Sequence, residues 1–322
     1  MAVDSSARGR FAPSPTGRLH LGNARTALLA WLDARAGGGA FVMRVEDLDR
    51  ARVLAGAEAQ QLDDLRWLGL DWDEGPDAGG PFAPYRQSER VGLYDAAVDR
   101  LLAAGRAFLC ACSRADVARA ATAPHDGEND EPRYPGTCRG RDPSEVRARA
   151  AAQGRAPAVR FAGRDQRVAF ADELRGPTEG PVDDFVLRRA DGTAAYQLAV
   201  VVDDAAMQIA RVVRGDDLLQ STPRQIALGR ALGLPIPAFA HVPLVLTPGG
   251  ERLAKRTRPA SLKSLRDAGV RPDTLVGALA ASAGLSDGAP AAAGELVSGF
   301  RLARIRPEPA TVDLDQVTKT SG

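Results

Sequence analysis

One stretch near the N-terminus, residues 10–23, constrains the fold more than any other part of the chain. It reads Arg-Phe-Ala-Pro-Ser-Pro-Thr-Gly-Arg-Leu-His-Leu-Gly-Asn. Its apolar start is typical of a strand end, its prolines and Gly17 predict a loop, and from Ala24 the apolar residues recur with helical spacing. A helix that begins directly after such a loop directs free backbone N–H groups and a positive dipole end to one point. The stretch therefore predicts a phosphate site between a strand and a helix.

The glycines of this stretch exclude two common nucleotide-binding motifs, because they match neither G-x-G-x-x-G nor G-x-x-x-x-G-K-[ST]. Farther along, residues 41–45 have the pattern of a strand, residues 53–68 have helical spacing, and another helix follows Arg90. The order strand, helix, strand, helix, helix predicts an α/β fold with a parallel sheet and right-handed crossovers.

Acidic residues follow the strand at 41–45 directly, beginning with Glu46 and Asp47. Open α/β sheets bind ligands outside the carboxyl ends of their strands, so this position favours a ligand-facing role. By itself, such a cluster is also typical of a solvated turn or a helix cap.

The stretch at 10–23 resembles the first signature of class I aminoacyl-tRNA synthetases, in the form found in the glutamyl branch. His20-Leu21-Gly22-Asn23 stands where the superfamily has His-Ile-Gly-His, so Asn23 replaces the second histidine. An Arg-x-Glu-Asp-x-Asp element at 44–49 and Tyr-x-Leu-Ala-Val-Val-Val-Asp-Asp at 196–204 also match that branch. The resemblance implies a class I synthetase Rossmann-type parallel sheet with an inserted zinc-binding, acceptor-type subdomain and a short helical C-terminal part.

The resemblance also implies which residues bind the substrates. L-Glutamate would be bound by Arg10, Phe11, Ala12, Pro13, Ser14, Glu46, Tyr196 and Arg214, and ATP by His20, Gly22 and Lys255. Guanidinium groups suit carboxylates because they donate two parallel hydrogen bonds, and Glu46 would hold the ammonium group. His20 and Lys255 would be catalytic, assisted by Mg²⁺ bound with ATP. Lys255 belongs to Arg252-Leu253-Ala254-Lys255-Arg256, which stands at the place of the second signature, Lys-Met-Ser-Lys-Ser, with Ala254 replacing its first serine.

The three cysteines, Cys110, Cys112 and Cys138, favour a metal over disulfides because their number is odd and the segment between them has little to bury. A closed structural zinc site needs four ligands, so a fourth must be found. Zinc chemistry favours His125, whereas the resemblance favours Tyr134, because Cys-x-Cys followed by Tyr-x-x-x-Cys is the pattern of glutamyl-Q tRNA(Asp) synthetases. We expect one structural Zn²⁺ per chain with Tyr134 as the fourth ligand; unligated cysteines are the alternative.

The remaining secondary structure is predicted from local patterns. We expect a helix at 142–154 capped by Asp142, strands at 159–161 and 168–170, a strand ending in an Asp-Gly turn at 183–192, and a helix at 221–232. The apolar run at 193–204 predicts a strand buried on both faces. Helices are expected at 273–284 and around 293–302.

Length and composition set the organisation of the chain. A chain of 322 residues with 44% hydrophobic content predicts two globular units. We expect the catalytic domain in two halves, 1–107 and 183–270, an insert at 108–182, and a short helical region at 271–322 without an anticodon-binding domain. No apolar run reaches ~18 residues and no signal peptide is evident, so a cytoplasmic monomer that does not enter membranes is expected. The net charge of +1 does not exclude a nucleic acid partner.

The resemblance predicts an enzyme similar to glutamyl-Q tRNA(Asp) synthetases, short relatives of glutamyl-tRNA synthetase. Such an enzyme activates L-glutamate with ATP without needing tRNA and transfers it to queuosine in the anticodon of tRNA(Asp). Three alternatives stay open: a short glutamyl-tRNA synthetase that charges tRNA(Glu), a catalytically silent tRNA-binding paralogue, and a nucleotidyltransferase of the same fold that acts on a small molecule.

Overall fold

The computed structural model describes residues 7–120, 134–246 and 261–312. The chain begins with the order strand, helix, strand, helix, helix that the sequence predicts. The strands are β1 Gly9–Phe11, β2 Phe41–Met43, β3 Ala107–Cys110, β4 Ala158–Phe161, β5 Gln166–Asp172, β6 Gly176–Val182, β7 Val186–Arg188, β8 Arg211–Gly215, β9 Ala238–Val242, β10 Val245–Leu246 and β11 Ala310–Thr311. The α-helices are α1 Leu21–Ala36, α2 Ala57–Trp67, α3 Val91–Ala103, α4 Arg114–Ala120, α5 Pro143–Ala151, α6 Tyr196–Ala206, α7 Thr222–Leu232, α8 Leu262–Asp267 and α9 Pro272–Ser282.

Two strand–helix–strand units form the centre of the molecule. β1 pairs in parallel with β2 across α1, and β8 pairs in parallel with β9 across α7. The two units meet where the backbone N–H groups of Ala210 and Arg211 donate to the carbonyl oxygen of Arg8, at 2.9 and 3.1 Å. The parallel pairing predicted from the alternating pattern is confirmed for these strands, and their carboxyl ends lie on one side of the fold.

The sheets as a whole are mixed rather than purely parallel. β5 and β6 form an antiparallel hairpin, and β5 adds to the parallel pair through Asp172 beside Phe239 in β9. A separate antiparallel sheet has the order β3-β4-β7. The segment 108–182 therefore shares strand pairing with both neighbouring segments, and the domain boundaries given above stay a prediction.

The segment 193–204 corrects one sequence-based expectation, because it contains the helix α6 rather than a strand. Its buried residues include Leu198, Ala199, Val200 and Val202, which lie on several faces of the helix. A helix that is buried nearly all round has no polar face, so periodicity cannot distinguish it from a buried strand. As a result Tyr196 is the first residue of a helix, and Asp203 and Asp204 lie close to the C-terminus of the same helix.

Between residues 271 and 312, the described portion of the C-terminal part, α-helix occurs only at the beginning. α9 lies close to the predicted 273–284, but the helix expected around 293–302 is replaced by two short 3-10 helices, Ala293–Leu296 and Leu302–Arg304. Gly294 and Gly299 lie in this segment, and glycine weakens a helix interior. Among the described residues, no helix is both long enough and apolar enough to cross a bilayer.

Candidate active site

A cavity of about 400 Å³ opens where the carboxyl ends of β1 and β8 meet the first turns of α1 and α6. Predicted site residues that line it are Arg10, Phe11, Ala12, His20, Gly22, Glu46, Tyr196 and Arg214. Further lining residues are Asn23, Thr26, Val213, Gly215, Asp217, Leu218, Pro243, Leu244 and Val245. The loop after β1, the acidic residue after β2 and the end of β8 thus converge on one space, although they are far apart in the sequence.

Three of the predicted site residues are not among those that line the cavity in the described part of the chain. Pro13 and Ser14 are not among the residues that line the cavity within the described part of the chain. Pro13 instead accepts the backbone N–H of Glu46 at 3.0 Å, which ties the end of β1 to the segment after β2, and the Ser14 side chain is exposed. Lys255 and the second-signature segment around it lie outside the described residues.

A network of opposite charges, with Arg44 at its centre, lies behind the wall of the cavity that Arg10 and Glu46 line. The Arg44 side chain is fully buried, and it donates to Asp204 Oδ1 at 2.6 Å and to Glu46 Oε1 at 3.1 Å. Arg10 approaches the same Asp204 oxygen at 3.5 Å and also donates to the carbonyl oxygen of Val213 at 3.4 Å. The network fixes the positions of Arg10 and Glu46 without any ligand.

The two carboxyl groups of this network have opposite pKa shifts. Burial raises the pKa of Glu46 above its usual value, and Arg44 opposes that shift only partly. Burial also acts to raise the pKa of Asp204, but Arg44 and Arg10 outweigh it and the pKa is lowered. Asp204 is therefore the fixed negative partner of the two arginines. Glu46 is the carboxylate that would gain most from a cationic ligand group.

Arg214 lines another wall of the cavity and is 4% exposed. Its Nε donates to His241 Nε2 at 3.0 Å, and its Nη2 donates to Thr222 Oγ1 at 2.8 Å. Its Nη1 is buried and has no hydrogen-bond partner within the described residues. An unpaired buried donor of a charged group is costly, so this nitrogen would gain from an acceptor that the described residues do not supply.

His20 lies at the boundary between the loop and α1, where it caps the helix. Its Nδ1 accepts the backbone N–H groups of Gly22 at 3.1 Å and Asn23 at 3.4 Å, while Asn23 Oδ1 accepts the backbone N–H of His20 at 3.2 Å. Burial lowers the pKa of His20, which favours the neutral ring. Because Nδ1 is an acceptor, the proton of the neutral ring is on Nε2, which leaves one N–H donor for a ligand.

A second cluster lies at the end of β3, where the Sγ atoms of Cys110, Cys112 and Cys138 are all within 4.8 Å of one another. Two of them, those of Cys112 and Cys138, are 3.7 Å apart, close to the spacing expected for two thiolates on one tetrahedral zinc with Zn–S bonds of ~2.3 Å. The hydroxyl oxygen of Tyr134 is 3.4 Å from Cys110 Sγ. These four side chains are buried and could hold a metal ion, whereas His125 lies outside the described residues.

Several residues of these walls carry roles that the sequence alone did not indicate. Arg44 lies in the same matched motif as Glu46, and Asp204 lies in the same matched motif as Tyr196. Membership of these motifs is the sequence signal that points to both residues. His241 precedes the second-signature segment, and the sequence around it indicates no role for its side chain. Asp172 and Thr222 had no sequence signal, because their contacts with the Arg214 wall depend on the pairing of β5, β8 and β9.

A family model described as "tRNA synthetases class I (E and Q), catalytic domain" matches residues 6–296. A glutamyl-Q tRNA(Asp) synthetase from Symbiobacterium thermophilum is 55% identical to this chain over 318 residues, which are 98% of each protein. Another, from Nocardia farcinica, is 51% identical over 94% of this chain and 91% of its own length.

Similar solved structures include a glutamate tRNA ligase from Elizabethkingia meningosepticum in complex with its amino acid. It is 30% identical to this chain, with a TM-score of 0.83, and the match covers 96% of this chain and 68% of the ligase. The similarity in fold extends over nearly all of the chain.

Proposed function

The chain belongs to the family of class I tRNA synthetase catalytic domains for glutamate and glutamine, and we propose that it activates L-glutamate with ATP and transfers it to queuosine in the anticodon of tRNA(Asp). The observation that carries the proposal is the set of charges around the cavity. Two arginines and one partly buried glutamate suit a ligand with two carboxylates and one ammonium group. The near full-length similarity to glutamyl-Q tRNA(Asp) synthetases supports the choice of acceptor.

The glutamate site would use the two walls described above. Arg10 and Arg214 would bind the two carboxylates, and the free Nη1 of Arg214 supports its part in this. Glu46 would accept the ammonium group, because burial raises its pKa and a cation would stabilise its charged form. Phe11, Ala12 and Tyr196 would complete the pocket, and Pro13 would act through its bond to Glu46.

ATP would bind at the start of α1. The N–H on His20 Nε2 and the positive dipole end of α1 are suited to phosphate oxygens, while the backbone N–H groups of Gly22 and Asn23 are already bound to His20 Nδ1. Lys255 would neutralise charge on the leaving pyrophosphate, and Mg²⁺ bound with ATP would add to this. One oxygen of the glutamate α-carboxylate attacks the α-phosphorus, and the bond to pyrophosphate breaks. A hydroxyl of the cyclopentenediol of queuosine then attacks the glutamyl carbonyl, loses its proton, and AMP leaves.

We also propose that the cysteine cluster holds one structural Zn²⁺, with Tyr134 completing the ligand set. The close approach of Tyr134 to Cys110 and the spacing of the thiols support this assignment. Arg160, whose guanidinium carbon lies 4.0 Å from the Tyr134 ring centroid, packs on the ring from outside the cluster. Bound zinc would contribute folding free energy to a segment that has a small apolar core of its own.

Transfer of labelled glutamate to purified tRNAs tests the proposed function. We expect stable product on tRNA(Asp) that contains queuosine and none on the same tRNA without it. Product on tRNA(Glu) would favour a short glutamyl-tRNA synthetase. Absence of glutamate-dependent pyrophosphate exchange would favour a silent binding paralogue and contradict the proposal.

A further inference from the structure

The side chains behind Arg214 form a chain of hydrogen bonds that ends on a buried carboxylate. Asp172 Oδ2 lies 2.6 Å from His241 Nδ1, and both side chains are fully buried. On the other side of the ring, His241 Nε2 faces Arg214 Nε at 3.0 Å and Thr222 Oγ1 at 3.1 Å. The cavity is lined by Arg214 but by none of the other three residues. They therefore act on a ligand only through Arg214.

The chemistry of these groups determines where each proton lies. An arginine can only donate, so His241 Nε2 must be an acceptor and the ring proton must be on Nδ1, directed at Asp172. Burial lowers the pKa of His241 and Arg214 lowers it further, while Asp172 and Asp216 oppose them; the shift favours the neutral ring. The neutral Nδ1–H tautomer thus holds the guanidinium by Nε, and Thr222 holds it by Nη2.

We propose that Asp172, His241 and Thr222 are positioning residues that fix the Arg214 guanidinium at the cavity lining so that it meets a substrate carboxylate, with Asp172 setting the tautomer of His241. The inference rests on the proposed function, since it assumes that the ligand of Arg214 is glutamate. The expected gain is preorganisation: Arg214 is already aligned before the amino acid arrives, so binding loses less conformational entropy.

Asp172 allows a sharp test because its two oxygens have different partners. Oδ1 accepts the backbone N–H groups of Arg175 at 2.9 Å, Leu174 at 3.0 Å and His241 at 3.3 Å. In the variant Asp172→Asn the amide oxygen must keep these bonds, so the amide N–H₂ is directed at His241 Nδ1. The ring then carries its proton on Nε2, which faces the Arg214 N–H donor, and two donors repel each other. The shape of the site is kept while its hydrogen-bond polarity is reversed.

Pyrophosphate exchange measures the effect, with KM for glutamate and KM for ATP determined separately. We expect Asp172→Asn and Thr222→Val each to raise KM for glutamate by about 10-fold to 100-fold, the loss of one bond to a charged group, while KM for ATP stays within about twofold. Thr222→Ser should restore KM for glutamate, because it returns the hydroxyl. Thr274→Val, a matched change at a buried threonine in α9, should change neither constant.

Each outcome of this experiment is informative. If Asp172→Asn does not fold, the comparison of Thr222→Val with Thr222→Ser decides, because valine keeps the volume of threonine. Equal increases in both KM values, or no rescue by serine, would indicate a purely structural role and overturn the inference. Wild-type protein without glutamate-dependent exchange would instead contradict the proposed function, and this result is distinct from the others.

Discussion

At the residue scale, Asn23 shows how a departure from a signature can keep its local structure. It stands where the superfamily has a second histidine, and its Oδ1 accepts the backbone N–H of His20 at 3.2 Å. In return His20 Nδ1 accepts the backbone N–H groups of Gly22 and Asn23. This reciprocal cap fixes the tautomer of His20, because Nδ1 is used for the helix and Nε2–H remains for the phosphate that we propose it binds.

Gly22 allows a test of this arrangement. A Cβ at this position would lie 3.0 Å from His20 Cε1 and 3.1 Å from His20 Nδ1, so Gly22→Ala must displace the ring. We expect glutamate-dependent pyrophosphate exchange to fall by about 10-fold or more, as for a misplaced catalytic group. The displaced ring weakens the helix cap, which offsets the better helix propensity of alanine, so the free energy of unfolding should change by less than about 1 kcal/mol. Gly92→Ala, in α3 with open space around it, is the control for stability and should leave exchange unchanged. Normal exchange in Gly22→Ala would remove His20 from the mechanism.

Asp204 contributes to stability in a different way, as the buried partner of Arg44. Asp204→Asn leaves an uncompensated positive charge, so we expect the free energy of unfolding to fall by about 3 kcal/mol or more in urea denaturation at pH 7. The folded-state pKa of Asp204 is lowered, so its contribution should be complete above about pH 4 and lost as the pH falls through the lowered value. Asp267→Asn removes the exposed partner of Lys263 and should cost less than about 1 kcal/mol. Equal losses in both variants would contradict this account.

At the scale of elements, the sequence predicted those parts of the fold whose signals are local. Asp142 caps α5 by accepting the backbone N–H of Ser144, and the strand–loop–helix unit around His20 forms as expected. The helix α6 has the sequence pattern of a buried strand, because the apolar residues 198–202 follow one another without polar interruption. Its acidic pair, Asp203 and Asp204, lies near a helix C-terminus, where negative charge is unfavourable. Buried arginines offset this, and Asp203 also accepts hydrogen bonds from Gln87 and Tyr94.

The parts that the sequence could not predict depend on long-range pairing. Asp172 reaches His241 only because β5 lies beside β9, a register set by strands that are nearly seventy residues apart. No local pattern around Asp172 distinguishes it from a surface acid. Residues that line the cavity could therefore be predicted where they lie in matched motifs, whereas Asp172 and Thr222, which lie outside those motifs, could not.

The next prediction concerns the metal content of the cysteine cluster, Cys110, Cys112 and Cys138. We expect about one zinc ion per chain, and we expect Cys138→Ala and Tyr134→Phe to lose it on dialysis against a weak chelator, because each variant lacks one of the four ligands. Tyr134→Phe keeps the aromatic ring under Arg160, so any loss is due to the hydroxyl. His125→Ala is the control and should retain zinc. Loss of zinc in His125→Ala, with retention in Tyr134→Phe, would show that the fourth ligand is the histidine.

At the scale of the whole molecule, the cavity combines side chains from distant parts of the chain, and each is held by another part of the same chain. Arg10 is bound by Asp204 and by the backbone of β8, Glu46 by Arg44, and Arg214 by His241. The walls that we propose for glutamate are thus aligned by the chain alone. Preorganised walls of this kind need no second macromolecule to form them.

We therefore expect ATP, glutamate and Mg²⁺ to suffice for the formation of glutamyl-AMP, at a rate that added tRNA does not change. Transfer should behave differently, because the anticodon stem-loop must be held largely through its phosphates. The KM for tRNA(Asp) should rise steeply with salt, while pyrophosphate exchange should respond weakly over the same range. Exchange measured with and without tRNA, at two salt concentrations, separates the two steps in one protein preparation.

If exchange requires tRNA, the glutamate walls are not preorganised and the chain acts as a tRNA-dependent glutamyl-tRNA synthetase does. If exchange and transfer weaken equally with salt, the loss lies in the catalytic core rather than in the binding of the phosphates.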